Sequence, residues 1–145
     1  KNEITNEYIL AASDDELQQE LLKKIHEEVN LIRKSQRKKD AEAQMMLSPY
    51  KRMVLFTCLF EDMTYMGDAD KFLYGTAASE REVDGAINGY ILINLIDAAN
   101  LLTTAKNNPR LLQKIETYFT EDKLEKIKQE RIKFIRQHSN EFIYQ

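Results

Sequence analysis

The chain has 145 residues, of which 43% are hydrophobic and 31% are charged, and its formal net charge is −3. Only four glycines and two prolines occur, which argues against turn-rich all-β folds, because those need many chain-turning residues. The single cysteine, Cys58, excludes an intrachain disulfide. This length suits one domain, so we predict a single all-α domain over residues 1–145.

The first long helix is predicted after a capping box. Ser13 is followed three residues later by Glu16, a pattern typical of a helix N-terminus. No helix breaker lies between Arg33 and Gln44, so we expect the helix to continue, with residues 33–47 as a projecting segment. A polar linker there is the alternative. One apolar stripe at helical spacing precedes that segment: Leu17, Leu21, Ile25, Val29 and Ile32.

Later helix starts carry their own cap patterns. Ser48 precedes Pro49, which suits the first helical position. Ser79 with Glu82 forms a second capping box, and its helix is predicted over residues 79–106. Further helices are predicted after Asn108 and Thr120, and the apolar tail "EFIYQ" is expected to dock. The result is a helical bundle of five to six helices.

The helix over residues 79–106 carries apolar side chains on more than one face. Gly85 and Gly89 have no side chains there, so another backbone can approach closely, inside the fold or across a homodimer. Both glycines are therefore candidate partner-binding residues, and a homodimer is a possible partner arrangement. Asn94 lies among apolar neighbours, where a buried amide would specify one packing register.

Residues 60–75 contain acidic residues spaced almost as in a calcium loop. If the loop begins at Asp62, Gly67 takes its sixth position, but Leu73 takes the twelfth, where a bidentate glutamate is needed. The two histidines, His26 and His138, and one cysteine are too few for a structural zinc site. No glycine-rich phosphate loop occurs. We therefore predict no metal site and no cofactor.

A basic run, "RKSQRKK", interrupts this acidic protein. It can contact phosphates, and the last predicted helix can extend it into one basic surface over residues 33–39 and 123–136. No aromatic residue interleaves the run, and a solvated helix face explains the same charges. The candidate partner-binding cations are Arg33, Lys34, Arg37, Lys38 and Lys39, and the last helix adds Lys123, Lys126, Lys128, Arg131, Lys133 and Arg136.

The segment "RIKFIRQH" places six residues between Arg131 and His138. This resembles the Arg-x4–6-His pattern of HEPN-type ribonucleases, which are helical, usually dimeric and independent of metal. The resemblance implies His138 as the acid or base at the ribose hydroxyl and Arg131 at the scissile phosphate. These two are the candidate catalytic residues, although Ile132 stands where the family often has a polar residue.

The sequence favours a non-enzymatic interaction or regulatory module that binds a protein partner through helix faces. A nucleic-acid-associated regulator that uses the basic surface is the alternative, and a metal-independent HEPN-like RNase is the second alternative. The longest apolar stretch is too short and too polar for a membrane span, so no membrane partner is expected. A cytoplasmic location is predicted, because a lone cysteine fits a reducing compartment.

Overall fold

A computed structural model describes residues 3–75 and 77–145, with the backbone alone over residues 77–79. Over this range the chain is all-α, as predicted, and no strand occurs beyond one isolated bridge. The predicted count of five to six helices is wrong, because the described residues form nine. They are α1 (Asn6–Ala11), α2 (Asp14–Ser35), α3 (Asp40–Met45), α4 (Pro49–Tyr65), α5 (Ala69–Tyr74), α6 (Ala77–Leu92), α7 (Ile96–Ala105), α8 (Leu112–Tyr118) and α9 (Glu121–Gln137).

The chain divides into two compact units. The first unit consists of the residues up to 52 together with residues 129–145, and the second unit consists of residues 53–128. Each unit has its own buried apolar side chains. A single domain over residues 1–145 stays a prediction.

The predicted caps Ser13, Ser48 and Thr120 are confirmed, whereas Asn108 forms no side-chain capping hydrogen bond at the start of the 3-10 helix Pro109–Leu111. The Ser13 hydroxyl accepts a hydrogen bond from the backbone N–H of Glu16, 3.2 Å away. Ser48 and Thr120 accept in the same way at the starts of α4 and α9. The side chain of Ser79 lies outside the described residues, and α6 begins two residues before it, at Ala77. Local capping therefore determines several helix starts, because an N-cap needs only its own first turn.

The first unit buries four of the five residues of the predicted stripe of α2, and the fifth, Ile32, is partly exposed. Leu17, Leu21 and Ile25 are fully buried and Val29 nearly so. The C-terminal part of α9 and the short 3-10 helix Ser139–Phe142 contribute further buried side chains, including Ile132, Ile135 and Phe142. The helical period of the sequence therefore predicts the buried face of α2 correctly.

Four helices end at a residue in the left-handed region of backbone conformation. Gly67 follows α4 with φ +83°, Asn94 follows α6 with φ +62°, and Asn107 follows α7 with φ +66°. Glycine and asparagine tolerate this region best. Arg37, after α2, adopts φ +53° and is the exception. The reversals at Arg37 and Asn94 each divide a helix that was predicted to be continuous, which increases the number of helices above the predicted count.

The expected continuation of the first long helix past Arg33 is wrong. The helix α2 ends at Ser35, and the N–H of Lys38 returns to the carbonyl of Arg33, 3.1 Å away. After a short turn, α3 begins and packs on α2, burying Ala43 completely. The segment 33–47 is therefore a turn and a short helix, because Ala43 gives α3 one side chain to bury.

The expected single helix over residues 79–106 is also wrong. The N–H groups of Leu95 and Asn94 return to the carbonyls of Tyr90 and Ile91 at 2.8 and 3.0 Å, which is a Schellman ending. Asn94 is exposed, so its predicted role as a buried, register-setting amide is wrong. Its short side chain instead tolerates the reversal between α6 and α7.

The second unit is built around an aromatic cluster. The ring of Phe60 lies 5.2 Å from the ring of Phe72, 6.4 Å from Tyr90 and 4.8 Å from Phe119, centroid to centroid. Cys58 is buried in the same unit. Within the described residues, no helix is long and apolar enough to cross a bilayer.

Candidate functional site

A groove of about 410 Å³ opens on the surface of the first unit. Four of its residues come from α2 at positions i, i+3, i+4 and i+7, so they share one face of that helix. The other walls come from the start of α4 and from the end of the chain. The lining residues of this α2 groove are Lys24, Glu27, Glu28, Leu31, Lys51, Ile143, Tyr144 and Gln145.

The C-terminal wall of the α2 groove is fixed by Tyr144. Its phenol donates to Glu28 Oε1 at 2.6 Å, and Lys51 Nζ lies 3.0 Å from the same oxygen. Lys51 Nζ also lies 4.2 Å from the centre of the Tyr144 ring. Backbone hydrogen bonds of 2.8 and 3.0 Å join Tyr144 to Ile4. The apolar tail docks as predicted, and the groove is therefore preformed.

Burial, and secondly the neighbouring Glu28 carboxylate, raise the pKa of the Tyr144 phenol well above its ordinary value. Burial penalises the phenolate, and the hydrogen bond to Glu28 requires the protonated form. The phenol therefore stays a hydrogen-bond donor throughout the neutral range.

Leu31 is 66% exposed, although it is a large apolar side chain. It lies off the buried stripe of α2, on the face that lines the groove. Lys34 follows Leu31 by three residues, so it lies on the same face about 4.5 Å further along the helix. The groove face of α2 therefore leads from an apolar side chain to a cation.

The five cations of the basic run form what we call the basic corner: Arg33, Lys34, Arg37, Lys38 and Lys39. All five are exposed, and none forms an ion pair with another described residue. The first two lie in the last turn of α2, where the carbonyl end of the helix dipole favours positive charge. The other three lie in the turn before α3, so the basic corner is a free positive surface of the first unit.

The two arginines of the last helix, which were expected to extend this surface, instead form contacts inside the first unit. Arg131 is 1% exposed, and its Nε and Nη2 donate to Gln18 Oε1 at 3.0 and 2.8 Å. Arg136 pairs with Asp14 at 2.8 Å and donates to the carbonyl of Ile9. Both guanidinium groups therefore hold the first unit together, and neither is presented as a phosphate contact.

His138 lies at the end of α9, where its Nδ1 is 3.0 Å from the carbonyl of Phe134. Its ring stacks on the Phe134 ring at 4.1 Å and lies 5.9 Å from Tyr50. The implied ribonuclease chemistry needs Arg131 at a phosphate, but that guanidinium is buried. The geometry therefore gives no support to catalytic roles for Arg131 and His138.

The glycine pair of α6 packs inside the second unit. A Cβ at Gly85 would lie 2.4 Å from Phe56 Cδ2, and a Cβ at Gly89 would lie 2.7 Å from Thr57 Cγ2. Both neighbours belong to α4, so the close approach that the glycines allow is made within the chain. Gly85 and Gly89 are therefore not placed as partner contacts, and the homodimer stays a prediction.

The acidic stretch over residues 62–73 lies mostly in helices. Asp62 belongs to α4 and Asp70 to α5, while Leu73 packs into the core of the second unit with 6% exposure. Among the described residues, no group of three or more His, Cys, Asp or Glu side chains is arranged to hold a metal ion. The absence of a calcium site stays a prediction.

Leu31 and the α2 groove were not predicted from the sequence. The pattern that could have revealed them is an apolar residue on the polar face of α2, combined with the apolar tail that docks beside it. Comparison with protein-family models, with curated proteins and with solved structures finds no match to this chain.

Proposed function

We propose that the chain is a non-enzymatic interaction module, and that its α2 groove binds a segment of a protein partner. The exposure of Leu31 beside the fixed tail carries this proposal. Covering a largely exposed leucine contributes about 1–2 kcal/mol to binding. Leu31 is therefore the apolar anchor point of the proposed interface.

The other walls of the groove suit an apolar side chain from a partner. Ile143 and Tyr144 are partly exposed, and tyrosine is enriched in protein interfaces because it combines an apolar ring with a polar tip. The tail is held by hydrogen bonds, so little conformational entropy would be lost in ordering it on binding. These features support a preformed contact surface.

The charges inside the groove support a binding role over a catalytic one. Lys24 and Glu27 lie 3.7 Å apart, and Lys51 pairs with Glu28 at 3.0 Å. Both cations are therefore engaged by carboxylates, whereas acid–base catalysis needs a group poised to exchange its proton with a substrate.

Protein is favoured over nucleic acid as the occupant by the surroundings of Tyr144. Base recognition on single strands uses open aromatic faces. One face of the Tyr144 ring is covered by Lys51, whose Nζ lies 4.2 Å from the ring centre. A protein side chain can pack against the edge of the Tyr144 ring, and this contact does not need an open ring face.

A photo-crosslinking amino acid at position 31 tests the proposal. The control places the same amino acid at His26, which is exposed and lies about 140° around α2 from Leu31. In extract from the source cells, we expect a discrete adduct from position 31 only. Mass spectrometry then identifies the adduct, and a synthetic peptide of its sequence is titrated against the purified chain.

Leu31→Ser should weaken binding of that peptide about fivefold to tenfold, because it removes the apolar contact. His26→Ser should leave the affinity unchanged. Equal yields of adduct at positions 31 and 26 would contradict the proposal. So would an affinity for the peptide that Leu31→Ser leaves unchanged. An adduct that nuclease treatment removes would replace it with the nucleic-acid alternative.

A further inference from the structure

Positive charge is distributed unevenly around the α2 groove. Within the groove, Lys24 and Lys51 each pair with a glutamate. Beyond Leu31, the basic corner presents five exposed cations that form no ion pair with a described residue. The local field is therefore most positive at the end of the groove that lies towards Lys34.

The distance between the apolar anchor and these cations is short. Lys34 lies about 4.5 Å along α2 from Leu31, and an extended chain covers about 3.3 Å per residue. A bound segment that places an apolar side chain on Leu31 and runs along α2 towards Lys34 therefore reaches the basic corner within about three residues. Side chains in that part of the segment meet the cations.

Arg37 stands out within the basic corner because of its backbone. Its φ of +53° lies in the left-handed region, where a side chain is disfavoured. The other three residues that end helices in this way are Gly67, Asn94 and Asn107, which tolerate the conformation. A glycine at position 37 would suit the turn better than an arginine, so the arginine lowers stability there.

The guanidinium of Arg37 offsets none of this strain inside the fold. The side chain is exposed and forms no ion pair with another described residue. Strained backbone positions are often associated with functional sites. A guanidinium also presents a planar fork that binds carboxylates by two parallel hydrogen bonds.

On the proposed function of the α2 groove, we infer that the bound protein segment is acidic. It carries an apolar side chain that packs on Leu31 and, within about three residues, carboxylates that contact the basic corner. Arg37 is the specificity-determining residue for those carboxylates.

Defined peptides test this inference on the full chain. Two fluorescein-labelled probes carry one leucine next to four residues that are all Glu or all Gln, and each is made in both sequence directions. Their affinities are measured by fluorescence anisotropy at low and at physiological salt. A thymidine oligonucleotide and phosphatidylserine vesicles are titrated in parallel as anionic probes of other classes.

The wild-type chain should bind the Glu probe more tightly than the Gln probe, with the difference shrinking as salt increases. Arg37→Gln should weaken binding of the Glu probe about twofold to fivefold and leave binding of the Gln probe unchanged. Arg37→Lys should weaken it less than Arg37→Gln does. The matched control, Arg110→Gln, removes an exposed cation of the second unit and should change neither affinity.

Arg37→Gly separates recognition from folding. Arg37→Gly should weaken binding of the Glu probe as much as Arg37→Gln does. The melting temperature of the chain should rise by about 2–4 °C, because the backbone strain is relieved. An unchanged or lower melting temperature would overturn the strain premise and with it the inference.

The remaining outcomes distinguish this inference from the proposed function. If Leu31→Ser weakens both probes but Glu and Gln bind equally, the groove proposal stands and the acidic partner is overturned. If Arg37→Gln weakens binding of the Glu probe but Leu31→Ser weakens binding of neither probe, the groove proposal is wrong, and the inference is wrong with it. Tighter binding of the oligonucleotide or the vesicles than of the Glu peptide would also overturn it, as would no binding of either peptide.

Discussion

Replacing Gly85 with alanine should destabilise the second unit, although helix propensity alone predicts the opposite. Alanine is about 1 kcal/mol better than glycine inside a helix, and Gly85 lies inside α6. The added Cβ, however, would lie 2.4, 2.5 and 3.0 Å from Cδ2, Cγ and Cβ of Phe56. The clash therefore opposes the propensity gain.

The magnitude follows from which atoms of Phe56 are crowded. They include the Cβ and the base of the ring, and the side chain is fully buried, so rotation of the ring cannot relieve the clash. Overpacking a well-packed core costs about 1–3 kcal/mol. Taking the upper end and subtracting about 1 kcal/mol of propensity leaves a net loss of about 2 kcal/mol.

Urea unfolding followed by far-ultraviolet circular dichroism measures this loss. Asn88→Ala is the matched control, because Asn88 is exposed on the same helix. This variant should have a free energy of unfolding up to about 0.5 kcal/mol higher than the wild type. Phe56→Ala is destabilising by itself, but it removes the ring. The double variant Gly85→Ala/Phe56→Ala should therefore be more stable than the sum of the two single changes predicts, by about 1 kcal/mol or more.

A Gly85→Ala variant as stable as the wild type would refute this account of the α4–α6 contact. Light scattering provides the second refutation. If the change altered self-association and left the unfolding free energy unchanged, the glycine pair would face a second copy of the chain, and the packing of α6 on α4 would be wrong.

Three further predictions concern the surface, a buried carboxylate and pH. Changing the four residues Arg33, Arg37, Lys38 and Lys39 together to Gln should leave the melting temperature nearly unmoved, because exposed changes each alter stability by within about 0.5 kcal/mol; a large loss would mean that the basic corner is packed or paired. Tyr90→Phe should lower the free energy of unfolding by about 1–3 kcal/mol, because Tyr90 donates at 2.6 Å to the buried Glu61 carboxylate. Tyr65→Phe, at a 66% exposed position, should leave the free energy of unfolding unchanged, and an equal loss in both variants would contradict this role of Tyr90. The raised pKa of Tyr144 means that the unfolded chain loses this phenolic proton first, so its stabilising effect is complete below the ordinary pKa of 10.0 and is lost as pH rises above it. Melting temperatures between about pH 9 and pH 11 should therefore fall less steeply in Tyr144→Phe than in the wild type, and parallel profiles would exclude this role for Tyr144.

The sequence by itself determined the fold class, several helix starts and the buried face of α2. Scarce glycine and proline indicated helices, and Ser13 with Glu16 located the start of α2. The apolar period then identified its core residues, such as Leu17 and Leu21. These features depend on the first turn of a helix or on its period, and both are properties of neighbouring residues.

Only the tertiary structure decided where helices stop and which surface is left open. Continuing a helix by one residue differs from ending it by less than about 1 kcal/mol for most residue types, whereas burying one large apolar side chain contributes about 1.5–3 kcal/mol. The packing of later elements therefore overrides local preference at Arg37, where the chain reverses at a residue that disfavours the left-handed conformation. For the same reason no local pattern brings the walls of the α2 groove together, since Leu31 and Tyr144 become neighbours only when the tail docks.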